Sequence, residues 1–205
     1  MGFALPHWLP RAALEATLIV FAVVLGFLVN EWREDRDSAA EAELALSRIV
    51  VELESNLAVL ETAQAYHAQI AENLAVLEQE LASGERPSEG RLLDISMPAM
   101  PQGISPPILS DVAWTYAGQT GALDQLDFEL MSEVARLYSI QELGAEATWQ
   151  MIVETFFFNE ESFEVRDVTA KVNFMHLAFV ELSAQEDSLI RSYQAVLPQV
   201  RELIE

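Results

Sequence analysis

The sequence contains no cysteine, which excludes thiol catalysis, thiolate metal sites and disulfide bonds. Basic residues are also few: 11 Lys and Arg stand against 33 Asp and Glu, and the net charge is −22. A chain this acidic repels phosphate backbones, so we expect no nucleic acid among its partners. Apolar residues are abundant at 51%, which argues against intrinsic disorder and for a folded chain of 205 residues.

Motifs for catalysis and metal binding are missing as well. The chain has neither a G-x-S-x-G elbow nor a phosphate-binding loop. A di-metal bundle would carry Glu-x-x-His pairs. Here the residue three positions before His67 is Gln64, the residue three positions before His176 is Asn173, and His7 lies apart from both. We therefore predict no catalytic residue, no metal and no cofactor, and we do not expect an enzyme. His67 and His176 are interpreted as ordinary packing or surface residues.

A long apolar run lies near the N-terminus. Residues 12–29 read AALEATLIVFAVVLGFLV, with Glu15 as the single charge. Eighteen such residues are enough to cross a hydrocarbon layer of about 30 Å. Trp8 and Trp32 bracket the run and are predicted to be interface anchors in the lipid bilayer. The run continues into Asn30 and charged residues without a small-residue cleavage site, so we expect an uncleaved signal anchor.

The chain is accordingly divided into a short flank at 1–11, a transmembrane anchor at 12–32 and an acidic helical domain at 33–205. The positive-inside count does not decide the orientation, because Arg11 opposes Arg33 and Arg36. A short flank before a long hydrophilic domain is typical of bacterial signal anchors. We therefore expect a single-pass protein of the bacterial inner membrane, with a cytoplasmic N-terminus and a periplasmic domain.

Beyond the anchor the pattern is helical. Ser38 and Glu41 have capping-box spacing, so either a new helix begins there or the membrane helix continues. Eleven positions with coiled-coil spacing follow, eight of them apolar. They are Leu46, Val50, Leu53, Leu57, Leu60, Gln64, His67, Ala71, Leu74, Glu78 and Leu81.

Prolines and glycines predict a long loop at 84–107. Ser110 is expected to cap a short helix to about Ala117, which Gly118 and Gly121 interrupt, and Asp127 to cap a longer one. That longer helix carries an apolar stripe from Met131 to Phe156. A final stripe comprises Val172, Met175, Phe179, Leu182, Glu186, Leu189, Tyr193, Val196, Val200 and Leu203, with a kink predicted at Pro198.

No segment shows convincing strand alternation. The fold class is therefore predicted to be all-α: one N-terminal transmembrane helix followed by an antiparallel bundle of amphipathic helices.

The N-terminal pattern also resembles a family of small, uncharacterised single-pass bacterial membrane proteins. The residues that carry the resemblance are Glu15, Ala22, Gly26, Asn30, Trp32, Glu34 and Arg36. The stretch from Trp114 to Leu123, followed by Glu129, Leu130, Leu137 and Tyr138, is similar to the same family. The chain departs from the family in lacking a basic stretch before the membrane. Because the family has no assigned activity, the resemblance implies architecture and location only.

Four residues of the anchor share one helix face: Glu15, Ala22, Gly26 and Asn30. We predict that this small, polar face contacts another helix. Glu15 then either pairs with Arg11 on its own helix or bonds to a neighbouring helix. The chain is expected to be a membrane-anchored structural or interaction protein, either a homo-oligomer or a subunit bound to an integral-membrane partner. The alternatives are a sensory or regulatory module and an enzyme of unknown activity.

Overall fold

The structure, a computed structural model, describes residues 9–158 and 167–204, and it describes the side chains of this part except those of 9–13, 16 and 125. Trp8 and residues 1–8 of the predicted flank lie outside the described residues. Six α-helices make up most of the described chain, and no β-strand occurs in it. The predicted all-α class is therefore confirmed.

Helix α1 is a single helix of 75 residues, Leu9–Ser83. It passes through Ser38 and Glu41 without a break, which decides between the two interpretations of that capping box: the first helix continues. The described side chains from 17 to 37 are all exposed, and the first buried one is Ala42. About 50 Å of helix, at 1.5 Å per residue, thus precedes the bundle. The side chains of α1 are described from Leu14 onward, except at position 16. Within the described residues, no helix has an apolar stretch long enough to cross a membrane.

The second half of α1 packs along helix α6, Thr169–Glu202. The two helices are antiparallel, because Glu54 pairs with Arg201 near one end while Glu78 pairs with His176 near the other. None of the eleven α1 positions with coiled-coil spacing, which form the predicted seam of this helix, is exposed. In α6 the predicted stripe is buried apart from Leu203, and Pro198 lies inside the helix, which continues to Glu202. These two apolar stripes form the centre of the core.

Two short elements interrupt the segment that was predicted to be a long loop at 84–107. Helix α2, Leu92–Ser96, is followed by a 3₁₀ turn, Met97–Ala99, so the expectation of a wholly irregular chain is wrong there. Leu92 and Met100 are almost fully buried, and their burial stabilises the turn despite its prolines.

Helix α3, Val112–Thr120, begins one residue later than a Ser110 cap predicts and passes through Gly118. It ends at Gly121, whose φ of 75° is in the left-handed region that favours glycine. A 3₁₀ turn, Ala122–Gln125, leads to helix α4. The sequence prediction was wrong about the cap of α3, because Ser110 does not occupy the N-cap position.

Helix α4, Phe128–Ile140, is capped as predicted by the Asp127 side chain, which accepts a hydrogen bond of 2.9 Å from the Leu130 amide. It runs through a π-helical segment, Gln141–Glu146, into helix α5, Ala147–Phe156. Phe156, at the end of the predicted stripe, is buried, whereas Phe158 is 76% exposed. The α4–α5 unit and α3 cover the side of the α1–α6 pair that carries most of its buried polar groups.

Candidate functional site: the buried polar groups between α1 and α6

The polar residues of the α1 seam meet polar residues of α6. Gln64 donates to the Ser183 hydroxyl at 3.2 Å, and His67 contacts Glu186. Farther along, Glu78 contacts both Asn173 and His176. The polar positions that interrupt the apolar seam of α1 are therefore matched, one after another, across the antiparallel helix pair.

His67 and Glu186 contact each other directly, and both side chains are completely buried. The histidine Nδ1 lies 2.9 and 3.0 Å from the two carboxylate oxygens, and Nε2 lies 3.1 Å from the backbone carbonyl of Ser105. The imidazole stacks on Trp149 at 5.4 Å between ring centroids, with Phe179 at 5.8 Å. Ser105 has a φ of 38°, a left-handed conformation that is costly for a residue with a Cβ.

The partners of His67 determine where its protons lie. A carbonyl oxygen can only accept, so Nε2 carries a proton that it donates to Ser105. One further proton is shared by Nδ1 and the Glu186 carboxyl, and the pair is neutral overall wherever that proton lies. Burial raises the pKa of Glu186, against the opposing effect of the hydrogen bond and charge of His67.

The second His–Glu pair is partly open to solvent. His176 Nδ1 lies 3.1 Å from Glu78, and the two side chains are 23% and 31% exposed. The same carboxylate accepts a hydrogen bond of 2.7 Å from Asn173. Both pairs join α1 to α6, but only the His67–Glu186 pair is removed from water.

Glu52 takes the place of the predicted Ser110 cap. Its carboxylate accepts from the backbone amides of Ala113 and Trp114, at 2.9 and 3.3 Å, at the start of α3. It also accepts from the hydroxyls of Ser110 and Tyr138, both at 2.7 Å. A carboxylate on α1 thereby satisfies the free amides of another helix and interacts favourably with its dipole.

These bonds control the ionisation of both partners. Burial acts to raise the pKa of Glu52, but the hydrogen bonds from Ser110, Ala113, Tyr138 and Trp114 outweigh it and hold the pKa below its usual value. Burial, followed by the bond to Glu52, raises the pKa of Tyr138 far above its usual range. Glu52 is therefore an anion that accepts four hydrogen bonds, and Tyr138 stays a neutral donor.

A chain of side-chain hydrogen bonds continues from this cap to α6. Asn56 binds both the amide and the carbonyl of Ser110, at 2.8 and 2.7 Å, and donates to the Tyr193 hydroxyl at 3.2 Å. Tyr193 donates to Gln141, and Gln141 donates to Glu146 at 2.9 Å. The bonds connect α1, α6 and the π-helical segment, a type of irregularity that is often found at functional sites.

A cavity of about 450 Å³ opens beside these bonds. The parallel rings of Trp114 and Tyr138, 5.4 Å apart and inclined by 16°, form part of its wall. Asp111, Glu142 and Glu146 contribute carboxylates to it. An aromatic wall with several anionic groups suits a small organic cation.

The four residues of the predicted membrane face all lie on helix α1. Glu15, Ala22, Gly26 and Asn30 lie on one unbroken stretch of α1 and are all exposed. Asn30 donates to Glu34 at 2.6 Å, and no atom comes within 4 Å of a Cβ built on Gly26. Trp32 is 60% exposed, and the Arg36 guanidinium lies 5.1 Å from its ring centroid. The contact between this face and another helix stays a prediction.

Sequence reasoning missed the partners of the buried polar groups. His67 and Glu186 were both identified as stripe positions, and a polar residue in each of two facing stripes was the available signal. Pairing them required the register between helices whose contacting residues are 119 positions apart. Glu52 gave no comparable signal, because it lies beside the predicted seam. Among the described residues, no three His, Asp or Glu side chains are grouped as metal ligands.

No protein family, no curated protein and no solved structure matches this chain significantly. The resemblance to uncharacterised single-pass membrane proteins therefore stays a prediction.

Proposed function

We propose that this chain is a membrane-anchored structural or interaction protein, in which α1 holds an acidic helical bundle at the bacterial inner membrane and presents it to a partner. The observation that carries the proposal is the continuity of α1, which extends from the apolar N-terminal run to the far end of the bundle at Ser83. One rigid element thereby joins the predicted anchor at 12–32 to the core.

Exposure of the apolar residues supports the anchor. The large apolar side chains between Leu18 and Val29 are 49–72% exposed. A contiguous apolar surface of this kind needs a lipid or protein cover. Trp32 and the charged residues after it suit the interfacial end of such a segment. The bundle, in contrast, buries its own main apolar stripes.

Resistance to carbonate extraction from membranes tests the anchor. The full chain should remain in the membrane pellet, and the double variant Val20→Arg/Val24→Arg should be released, because each charge at a helix centre costs about 2.5 to 3.5 kcal/mol. Phe128→Arg/Leu143→Arg is the matched control, since both residues are exposed apolar residues of the bundle. Release of the unmodified chain by carbonate would overturn the proposal.

Orientation requires a separate experiment. Fusions of alkaline phosphatase and of a fluorescent protein after Glu205 should give an active phosphatase and a dark fluorescent protein when the bundle is periplasmic. The opposite pair of results would place the bundle in the cytoplasm and leave the anchor intact.

A second candidate, a sensory or regulatory module, is favoured by the cavity between α3 and the π-helical segment. A cation bound between Trp114 and Glu142 would contact elements that are hydrogen-bonded to α1 through Tyr138 and to α6 through Gln141. Because α1 continues toward the predicted membrane segment, a shift in the bundle has a rigid element through which to act.

Thermal unfolding with spermidine as the probe tests this candidate. Spermidine should raise the melting temperature of the full chain more than sodium chloride of equal ionic strength does, and Glu142→Gln should remove that difference. Glu129→Gln, an exposed glutamate outside the cavity, is the control. Equal shifts in the parent chain and in Glu142→Gln would show that spermidine acts only on the general negative charge.

A further inference from the structure

The face of α1 that points away from the core carries large apolar side chains. Leu44 is 52% exposed and Val51 is 64% exposed, seven residues apart. The buried residues Leu46, Ile49 and Leu53 lie on the other side of the same turns. Leu44 and Val51 thus form an apolar strip that the bundle itself does not cover.

Helix α3 adds to this surface. Val112 is 70% exposed and Tyr116 is 57% exposed, and both face the strip. Two adjoining grooves, of about 230 and 470 Å³, share Arg48, Ala113 and Tyr116 in their walls. The surface between α1 and α3 is therefore a continuous, mainly apolar groove whose walls also contain one cation, Arg48, and the carboxylates of Glu41 and Glu52. We refer to the strip and this groove together as the α1 outer face.

The α1 outer face is aligned with the predicted contact face of the membrane segment. Gly26 and Leu44 are eighteen residues apart in one unbroken helix, which is about five turns at 3.6 residues per turn, so they point in the same direction. Glu15, Ala22 and Asn30 lie within about 40° of that direction by the same count. One side of α1 therefore presents small residues in the apolar segment and exposed apolar residues in the bundle.

We propose that a second copy of this chain packs in parallel against the α1 outer face, so that each residue of the strip meets its own counterpart. The proposal rests on the proposed membrane anchor, which inserts all copies in the same orientation. Asn30, Asp37, Leu44 and Val51 lie at intervals of seven residues and take equivalent positions in a parallel two-stranded coiled coil. The Asp37 carboxylate lies 3.8 Å from Arg33 of its own helix, which offsets its charge at that position. An asparagine at one such position is a known determinant of register and strand number.

Charge complementarity selects a second copy as the occupant. Glu43 and Arg48 flank Leu44 on opposite sides and are five residues apart. This is the spacing at which a residue of one helix pairs with a residue of the other in a parallel coiled coil. Both residues are exposed, and neither forms an ion pair within the described part of the chain. Two copies would form two symmetric Glu43–Arg48 pairs beside the leucine contact.

Cysteine crosslinking provides the test, because the chain has no cysteine of its own. Leu44→Cys and Asp37→Cys should each give a disulfide-linked dimer in native membranes under mild oxidation. Asp35→Cys is the matched control: it is an exposed aspartate on the opposite side of α1 and should stay monomeric. Disulfide formation requires Cα atoms within about 7 Å, so the reaction reports direct apposition.

The crosslinked product also identifies the occupant. Two differently tagged copies expressed together should give the mixed dimer. A single product of another mass, containing a different protein, would overturn the choice of a second copy. Equal crosslinking at positions 35 and 37, or none at position 44, would overturn the docking face.

Charge exchange adds a second criterion. Arg48→Glu should lower the crosslinked fraction of Leu44→Cys several-fold, because Glu43 of the other copy then faces a like charge. Adding Glu43→Arg should restore the fraction. A double variant that crosslinks no better than Arg48→Glu alone would overturn the parallel register.

Carbonate extraction of the same samples distinguishes failure of the docking between two copies from failure of the membrane anchor. A chain that stays in the membrane without crosslinking overturns the docking alone. A chain that crosslinks but is extracted supports the docking and overturns the anchor.

Discussion

The two halves of α1 differ in the partners of their polar side chains and in the exposure of their apolar side chains. In the half that belongs to the bundle, the inward polar residues Glu52, Asn56 and His67 are all hydrogen-bonded to other elements. In the half that precedes it, the polar contacts described, such as that between Asn30 and Glu34, lie within the helix, and the described apolar side chains are exposed. The bundle half thus finds partners for its inward polar groups within the chain, while the N-terminal half exposes apolar side chains that another molecule could cover.

This difference implies that substitutions in the bundle half should change the free energy of unfolding, whereas substitutions in the N-terminal half should change association. Substitutions at Glu186, Glu52, His176 and Gly26 test that division, with expected changes in the free energy of unfolding that decrease in this order. Each is measured on the full chain in mild detergent, by urea unfolding followed by circular dichroism.

The largest effect is expected for Glu186→Ala, which leaves His67 buried without its acidic partner. Removing one member of a buried ion pair costs about 3 to 5 kcal/mol. Glu186→Gln should cost less, because the amide can still donate to a neutral His67 while Nε2 keeps its bond to Ser105. Glu181→Ala, an exposed site on the same helix, is the control. Equal losses for the alanine substitutions at positions 181 and 186 would contradict the structural role of the buried pair.

The contacts between α1 and α6 also show how much of the structure could be predicted from the sequence. Period and polarity were sufficient to predict that positions 64, 67 and 78 of α1 and position 186 of α6 belong to packed stripes. They were not sufficient to pair them, because the register depends on the path of the chain through α2 to α5.

The prediction that Ser110 caps α3 was wrong for a related reason. Ser110 has the residue type and the position of a local cap, but Glu52 reaches the same amides from 61 residues away. The sequence contains no local trace of such a contact. Continuity of α1 was equally undecidable from the sequence, since Ser38 and Glu41 fit both a cap and an exposed helix surface.

An intermediate effect is expected for Glu52→Gln. The neutral side chain loses the charge-assisted bonds to the α3 amides, each worth about 1.5 to 3 kcal/mol with a charged acceptor, but keeps neutral hydrogen bonds. We expect a net loss of about 2 kcal/mol at pH 7.

The difference between the parent chain and Glu52→Gln should depend on pH in one direction. The pKa of Glu52 is lowered in the folded state from an ordinary value of 4.5, so its contribution is fully present above that value and is lost as the pH falls through the lower, folded-state pKa. Unfolding of both chains between pH 7 and pH 3 should therefore show the gap narrowing only below about pH 4.5. A gap that widens as the pH falls would contradict the assignment of Glu52 as an anionic cap.

A smaller effect is expected for His176→Ala. The Glu78–His176 pair joins the same helices as the buried pair, but its side chains are 23–31% exposed and Glu78 keeps Asn173 as a donor. Exposed pairs contribute about 0.2 to 1 kcal/mol and are screened by salt. The loss should stay below 1 kcal/mol and shrink in about 0.5 M sodium chloride. A loss as large as that of Glu186→Ala would show that burial does not explain the difference between the pairs.

The smallest effect on folding is expected for Gly26→Leu, in the half of α1 that precedes the bundle. A side chain added at Gly26 meets no atom within 4 Å in the single chain, and replacing a glycine within a helix contributes about 0.5 to 1 kcal/mol in favour of the helix. Unfolding of the bundle should therefore hardly change. If two copies pack along the α1 outer face, the added bulk separates their backbones and lowers the crosslinked fraction of Leu44→Cys. Val24→Leu, which adds bulk about 160° around the helix, should leave that fraction unchanged. Equal crosslinking in the two variants would mean that the membrane segment does not take part in the contact, and would confine any association to the groove beside Leu44 and Arg48.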